Sequence, residues 1–93
     1  MVIGVIGWDL QLVACHSLKE KRAIVKSLKD RLHARFNVSV AETDHHDLWQ
    51  RSEITACVVA SERRHAESVL THADQLVASE ARARVLDSYR QFL

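Results

Sequence analysis

Apolar and polar positions alternate along Val2–Val13. One parity holds Gly4, Ile6, Trp8, Leu10 and Leu12; the other holds Ile3, Val5, Gly7, Asp9 and Gln11 and turns polar at its end. A period of two predicts a strand whose first set faces a core. The two glycines inside it suggest a bulge or a close backbone approach. Ser17-Leu18-Lys19-Glu20 reads as a capping box that opens a helix. From there Leu18, Ile24, Val25, Leu28, Leu32 and Phe36 fall on one helical face, and Asn37 follows as a stop. Val38–Thr43 and Ile54–Ala60 are short strand patterns, separated by a polar connection, Asp44–Ser52, that carries one large aromatic, Trp49. A second helix begins at Ser61-Glu62 and turns Ala66, Val69, Leu70, Ala73, Leu76 and Val77 inward. The last segment, about Arg82–Leu93, has strand character, but its apolar residues occupy both parities and leave its register open.

The order β-α-β-β-α-β predicts an α+β chain forming one domain over residues 1–93, of ferredoxin-like βαββαβ type. Two helices would cover one face of a four-stranded antiparallel sheet. Right-handed crossovers and a hairpin between the second and third strands give the spatial order 4-1-3-2.

Composition narrows the function classes. At 93 residues the chain builds one modest core and no deep closed cavity, so no small-molecule substrate is expected. No stretch approaches the roughly 18 apolar residues of a membrane span. Val2–Trp8 lacks the basic flank and small-residue cleavage site of a secretory leader. Cys15 and Cys57 make no disulfide framework, and a reducing cytoplasm is the expected compartment.

The net charge of +1 hides a segregation. Residues 17–36 hold Lys19, Lys21, Arg22, Lys26, Lys29, Arg31 and Arg35 against Glu20 and Asp30, a local +5 that leaves −4 for the rest. Every lysine lies on this helix. Lys19, Arg22, Lys26, Lys29 and His33 recur at spacings of three and four and form one ridge, with Lys21 beside it. Such a ridge is a solvated helix face or a phosphate-binding surface for a polyanion; a membrane surface is a third reading, but the apolar face of this helix is already committed to the core.

Other constellations carry less chemistry. Asp44-His45-His46-Asp47 offers metal-ligand types, but neighbouring strand residues point to opposite faces and no supporting ligand lies at useful spacing. It is read as a polar hairpin end, with no metal or cofactor expected. His65 and His72 are read as solvent-facing. Cys15-His16 pairs a thiol with a base, yet sequence neighbours rarely reach reactive geometry and no orienting group is indicated. Base stacking on the open sheet face needs aromatics on the first and third strands. Here those strands present Val5, Gly7, Asp9, Thr55, Cys57 and Val59, which disfavours that mode. The same face is apolar enough to pair with a second copy. Trp49, in Asp47-Leu48-Trp49-Gln50-Arg51, is either a lid over the core edge or an exposed binding anchor.

Three motifs, His16-Ser17-Leu18-Lys19-Glu20-Lys21-Arg22, Arg35-Phe36-Asn37-Val38-Ser39-Val40-Ala41-Glu42 and Asp47-Leu48-Trp49-Gln50, resemble the YlxP-like family of small bacterial proteins. The resemblance covers essentially the whole chain. It implies a ferredoxin-like fold and no established enzymatic activity. The family's genes often lie beside those of translation initiation factor two and ribosome-binding factor A, which points to ribosome assembly or translation. The family pattern usually places a proline or another turn former near the end of the first strand, where this chain has Val13-Ala14-Cys15. Its Gly7-Trp8 pair is also unusual for the family.

The expectation is therefore a non-enzymatic cytoplasmic protein that docks structured RNA, a ribosomal subunit in particular. Lys19, Arg22, Lys26 and Lys29 would meet phosphates, flanked by Lys21 and His33. Asp47, Trp49, Gln50 and Arg51 would add a shape-specific contact. The competing expectation is a homo-oligomeric interaction module built on the open sheet face.

Overall fold

A computed structural model describes all 93 residues. The chain runs β1 (Val2–Leu12), α1 (Leu18–Arg35), β2 (Ser39–Asp44), β3 (Arg51–Ala60), α2 (Arg63–Ala78) and β4 (Ala83–Phe92). The strands form one antiparallel sheet in the order β2-β3-β1-β4, with both helices on one face. This is the ferredoxin-like arrangement that the pattern requires. No helix is long and apolar enough to cross a membrane.

The inward parity of β1 forms the floor of the core: Ile6, Trp8, Leu10 and Leu12 are all buried. From β3 come Ile54, Ala56, Val58 and Ala60; from α1, Ile24, Val25, Leu28 and Leu32; from α2, Ala66, Leu70, Ala73, Leu76 and Val77. Trp8 is the largest of the fully buried side chains. Its indole N–H, which must find an acceptor once buried, donates to Asp74 Oδ1 on α2 at 2.9 Å. Gly4 is a close approach, since a Cβ there would sit 3.1 Å from Leu70 Cδ1.

The largest departure from the sequence pattern is the start of β3. The strand begins at Arg51, not Ile54, because Arg51, Ser52 and Glu53 continue the ladder opposite Gln11, Leu10 and Asp9 despite being polar. Hydropathy does not register backbone pairing made by polar residues. α1 caps at Phe36, one residue before Asn37, with the Phe36 N–H donating to the Leu32 carbonyl.

The open register of β4 has a specific cause. Asp9 pairs with Asp87 and Leu10 with Val85, so Leu86 is an extra residue, a bulge. Before it Ala83 and Val85 face the helices; after it Ser88, Arg90 and Phe92 do, opposite Trp8, Ile6 and Gly4. One inserted residue switches the parity. The bulge lies in β4, while the glycine of β1 nearest it, Gly7, instead accommodates the Tyr89 ring, which a Cβ would overlap.

Ser17 caps α1 as expected: its hydroxyl accepts from Glu20 N at 3.1 Å, and the Glu20 carboxylate accepts from His16 N at 3.0 Å. Ala14, in the turn before it, has φ 56°, the left-handed region that favours glycine. At the far side, Glu80 is buried in the α2–β4 turn and accepts from Arg82 N, Arg82 Nη2 and Arg31 Nη2. Arg82 also reaches Ser27 Oγ, so this cluster ties α1 to the start of β4. Hydrogen bonds from Arg82 hold the Glu80 carboxyl well below its ordinary range, at about 2.

Two predictions follow from these turns. Ala14→Gly relieves the left-handed strain and should raise stability by about 1 kcal/mol, seen as a higher thermal midpoint. The depressed Glu80 carboxyl contributes stability in full above its unfolded value near 4.5, and loses it as pH falls toward about 2. That contribution is roughly 3 kcal/mol. Urea midpoints measured across pH 2–6 should therefore fall more steeply for the native chain than for Glu80→Gln.

Candidate nucleic-acid interface

α1 is held near its N-terminus by a lysine. At about 100° per residue Lys21 falls in the middle of the arc formed by Ile24, Val25, Leu28 and Leu32, and only 1% of it is exposed. Its ammonium lies 2.9 Å from Glu42 Oε2 and donates to the His45 carbonyl. Glu42 also accepts from the buried Ser52 hydroxyl at 2.6 Å. Lys21 is thus no flank of a phosphate ridge, as its place beside Lys19 and Arg22 in the sequence suggests, but an internal tie from α1 to β2. Two signals could have found it: its wheel position, and the parity of β2, which sets Glu42 on the same face as Val38 and Val40.

The remaining ridge residues are outward. Lys19, Arg22, Lys26 and His33 are exposed and Lys29 partly so. Lys26 pairs with Asp30 at 2.6 Å, with both side chains mostly in solvent. That ammonium holds the Asp30 carboxyl below its ordinary range. Lys19, Arg22 and Lys29 have no carboxylate within ion-pair distance. The opposite flank of α1 is occupied, since Arg31 and Ser27 face Glu80 and Arg82. Lys19, Arg22 and Lys29 therefore lie on the flank of α1 turned away from Glu80 and Arg82, toward the β2 edge.

The β2–β3 connection, residues 45–50, sits at the same edge and is fastened to the beginning of α1. Lys21 holds the His45 carbonyl, and Gln50 Nε2 donates to the Cys15 carbonyl at 3.4 Å, while the Gln50 carbonyl accepts from Leu12 N. His45 takes the left-handed φ of 63° that starts the turn, a conformation His tolerates better than most residues. Between the fastenings, Asp47, Leu48, Trp49, Gln50 and Arg51 arch around an open concavity of about 550 Å³. Trp49 is 51% exposed and Leu48 49%. Trp49 is thus no lid over the core.

Arg51 departs from the expected loop contact. It begins β3, and its Nη2 donates to both oxygens of Asp9 at 2.9 and 2.8 Å on the open sheet face, leaving its buried Nε unpartnered. Its guanidinium is committed within the fold. The row beside it is acidic across the whole sheet, because the ladder aligns Asp44, Glu53, Asp9 and Asp87. These four carboxylates are scattered through the sequence, and only strand register brings them into line. This face repels a polyanion. Its single exposed aromatic, Tyr89, lies on β4 across Gly7, not on the strands that stack bases in RNA-recognition domains.

The other constellations disperse. Cys15 is buried and its thiol donates to the Ser17 carbonyl, making no hydrogen bond with His16. His46 meets the Glu42 carbonyl, and His45 faces Asp9 and Asp44 at 3.9 and 4.0 Å. No three acidic, His or Cys side chains converge to hold an ion. His65 and His72 are exposed on α2.

Comparison with known proteins places these residues in a family. A family model described as "Protein of unknown function (DUF503)" matches residues 3–90. The uncharacterized protein YlxP of Bacillus subtilis (strain 168) is 43% identical over 69 residues, which are 74% of this chain and 75% of that one. Among solved structures, a de novo designed protein with ferredoxin fold, LFR1 1, aligns with TM-score 0.55 at 16% identity, over 100% of this chain and 83% of its own, a likeness of fold alone. SnoaB, a cofactor-independent oxygenase from Streptomyces nogalater, aligns at TM-score 0.41 and 13% identity over 99% of this chain and 90% of its own, too distant to bear on chemistry.

The Lys21–Glu42 tie makes a quantitative prediction. Lys21→Met leaves Glu42 and the His45 carbonyl without their partner and should destabilise by about 2–4 kcal/mol. Adding Glu42→Gln should recover part of that loss. Denaturant unfolding of both single variants and the double variant measures the coupling.

Proposed function

The chain belongs to the YlxP-like family of unknown function (DUF503), and we propose that it is a non-enzymatic, cytoplasmic factor that docks structured RNA through the exposed β2-side edge of α1. The observation that carries this reading is the isolation of Lys19, Arg22 and Lys29. The buried or half-buried cations Lys21, Arg31, Arg51 and Arg82 each have a carboxylate, whereas these three have none and share one helix face; the other unpaired cations, Arg35, Arg64 and Arg84, are scattered over α1, α2 and β4. Unpaired like charges at helical spacing cost the helix a few tenths of a kcal/mol per pair, a cost that a phosphate strand offsets. Lys26 joins them at little expense, because a solvent-exposed pair such as Lys26–Asp30 is weak.

The scale of the ridge suits a short run of backbone. Ten residues separate Lys19 from Lys29, about 15 Å along the axis. That equals roughly four nucleotides stacked at ~3.4 Å. The gene neighbourhood that the family resemblance implies favours ribosomal RNA as the source. His33, one turn beyond Lys29 on the same edge, extends the ridge.

The homo-oligomeric reading rests on Val59 and Leu93, each 66% exposed, flanking Ile3 at one end of the open sheet face. It is the weaker of the two. A two-fold axis along the strands would stack the apolar ends, but it would also bring the two acidic rows together. A two-fold axis across the strands would set each apolar end against charges.

Four phosphate contacts predict a log–log salt dependence of affinity with slope roughly −3. Co-sedimentation with purified small ribosomal subunits across a salt series measures it. Lys29→Ala should reduce the slope by about 0.7–0.9, and Lys26→Glu with Lys29→Glu should abolish binding while far-ultraviolet circular dichroism stays native. Unchanged co-sedimentation of that double variant would remove the reading.

A further inference from the structure

Trp49 has no structural task that explains its exposure. A large aromatic is ordinarily mostly buried, yet half of this ring is in solvent, on a loop held at both ends. Lys21 fixes the His45 carbonyl on one side, and the Cys15 carbonyl and Leu12 N–H fix Gln50 on the other. The ring is therefore presented, not loosely hung. The loop that carries it is fastened beside the end of α1 that holds Lys19. The other indole, Trp8, is fully buried and hydrogen-bonded to Asp74.

We infer that Trp49 is a base-stacking platform, and that the RNA this protein takes carries an unpaired nucleotide beside the backbone segment held by α1. The inference rests on the phosphate-docking reading and specifies its ligand. A duplex keeps its bases stacked inside and offers an exposed indole nothing to cover it, whereas a loop or bulge can splay one base out onto an aromatic face. Cations along a backbone track with an aromatic set beside it are what single-stranded segments require. Charge selects against the acidic open sheet face as an alternative path. Leu48, equally exposed next to Trp49, supplies the apolar border on which a base edge rests. The concavity under residues 47–51 is open enough to admit a planar ring from solvent.

The test uses the intact protein with two RNA probes of equal length, a hairpin with an unpaired loop and a blunt duplex. The hairpin should bind about 10-fold more tightly than the duplex, in line with the contribution of one stacked base, and should quench tryptophan emission. Trp49→Ala should bring hairpin affinity down to the duplex level without changing the salt slope. Trp49→Phe should keep most of the preference but lose the quenching, since Trp8 is beyond reach of the probe. Equal binding of both probes by the native chain overturns the stacking inference; if Lys29→Glu still weakens that binding, phosphate docking survives on its own. A preference for the hairpin that persists in Trp49→Ala overturns it as well. If neither probe binds, both readings fall, and an apolar protein partner becomes the occupant to consider for Leu48 and Trp49.

Discussion

A lysine ammonium that water cannot reach must be met by acceptors from the protein, and most of this end of the molecule is arranged around that requirement. Lys21 lies in the apolar arc of α1, so its neighbours have to supply a carboxylate and a carbonyl. Glu42 can do so only if β2 turns that residue inward, which sets the strand's register against β3. The His45 carbonyl can do so only if the chain turns sharply after Asp44, which it does at a left-handed residue. Helix position, edge-strand register and loop entry are thereby linked through one nitrogen atom. Removing it leaves half-buried Glu42 with no opposite charge and only the Ser52 hydroxyl as partner.

The fold was legible because local signals agreed. Alternation in β1, the Ser17 cap and the 3.6-residue period of both helices each pointed to the same element order, and consistency across levels is what makes a chain readable. The candidate site was legible only in part, for a different reason. The ridge of Lys19, Arg22, Lys26 and Lys29 could be seen because helical spacing is a property of sequence. The fates of Lys21 and Arg51 could not be seen in a count of charges, since each is decided by a partner that folding delivers: Glu42, 21 positions away, and Asp9, 42 positions away. The row of Asp44, Glu53, Asp9 and Asp87 was equally hidden, because it exists only through strand register.

Pairing also changes what the charge separation means. The helix carries a formal +5, but Lys21 and Arg31 meet buried or nearly buried acids, Lys26 meets Asp30, and Glu20 is spent on the helix cap. What remains is a short line of free cations on one edge, with Arg35 apart from it at the helix end, over the Phe36 ring. On the opposite face of the sheet stands a line of carboxylates, partly answered by Arg51. The molecule is polar from helix edge to open face, so a polyanion approaching it is turned toward α1 and away from the sheet.

Both outer strands are irregular. Leu86 interrupts β4, and Thr43 is the corresponding extra residue in β2, where Glu42 pairs with Ile54 and Asp44 with Glu53. A bulge bends its strand and tightens the local twist, so neither margin presents a flat run of free amide and carbonyl groups. The chain contains no proline with which to block those margins. The two inserted residues take over that protection, guarding a small sheet against growing by edge-to-edge addition of further chains into an aggregate.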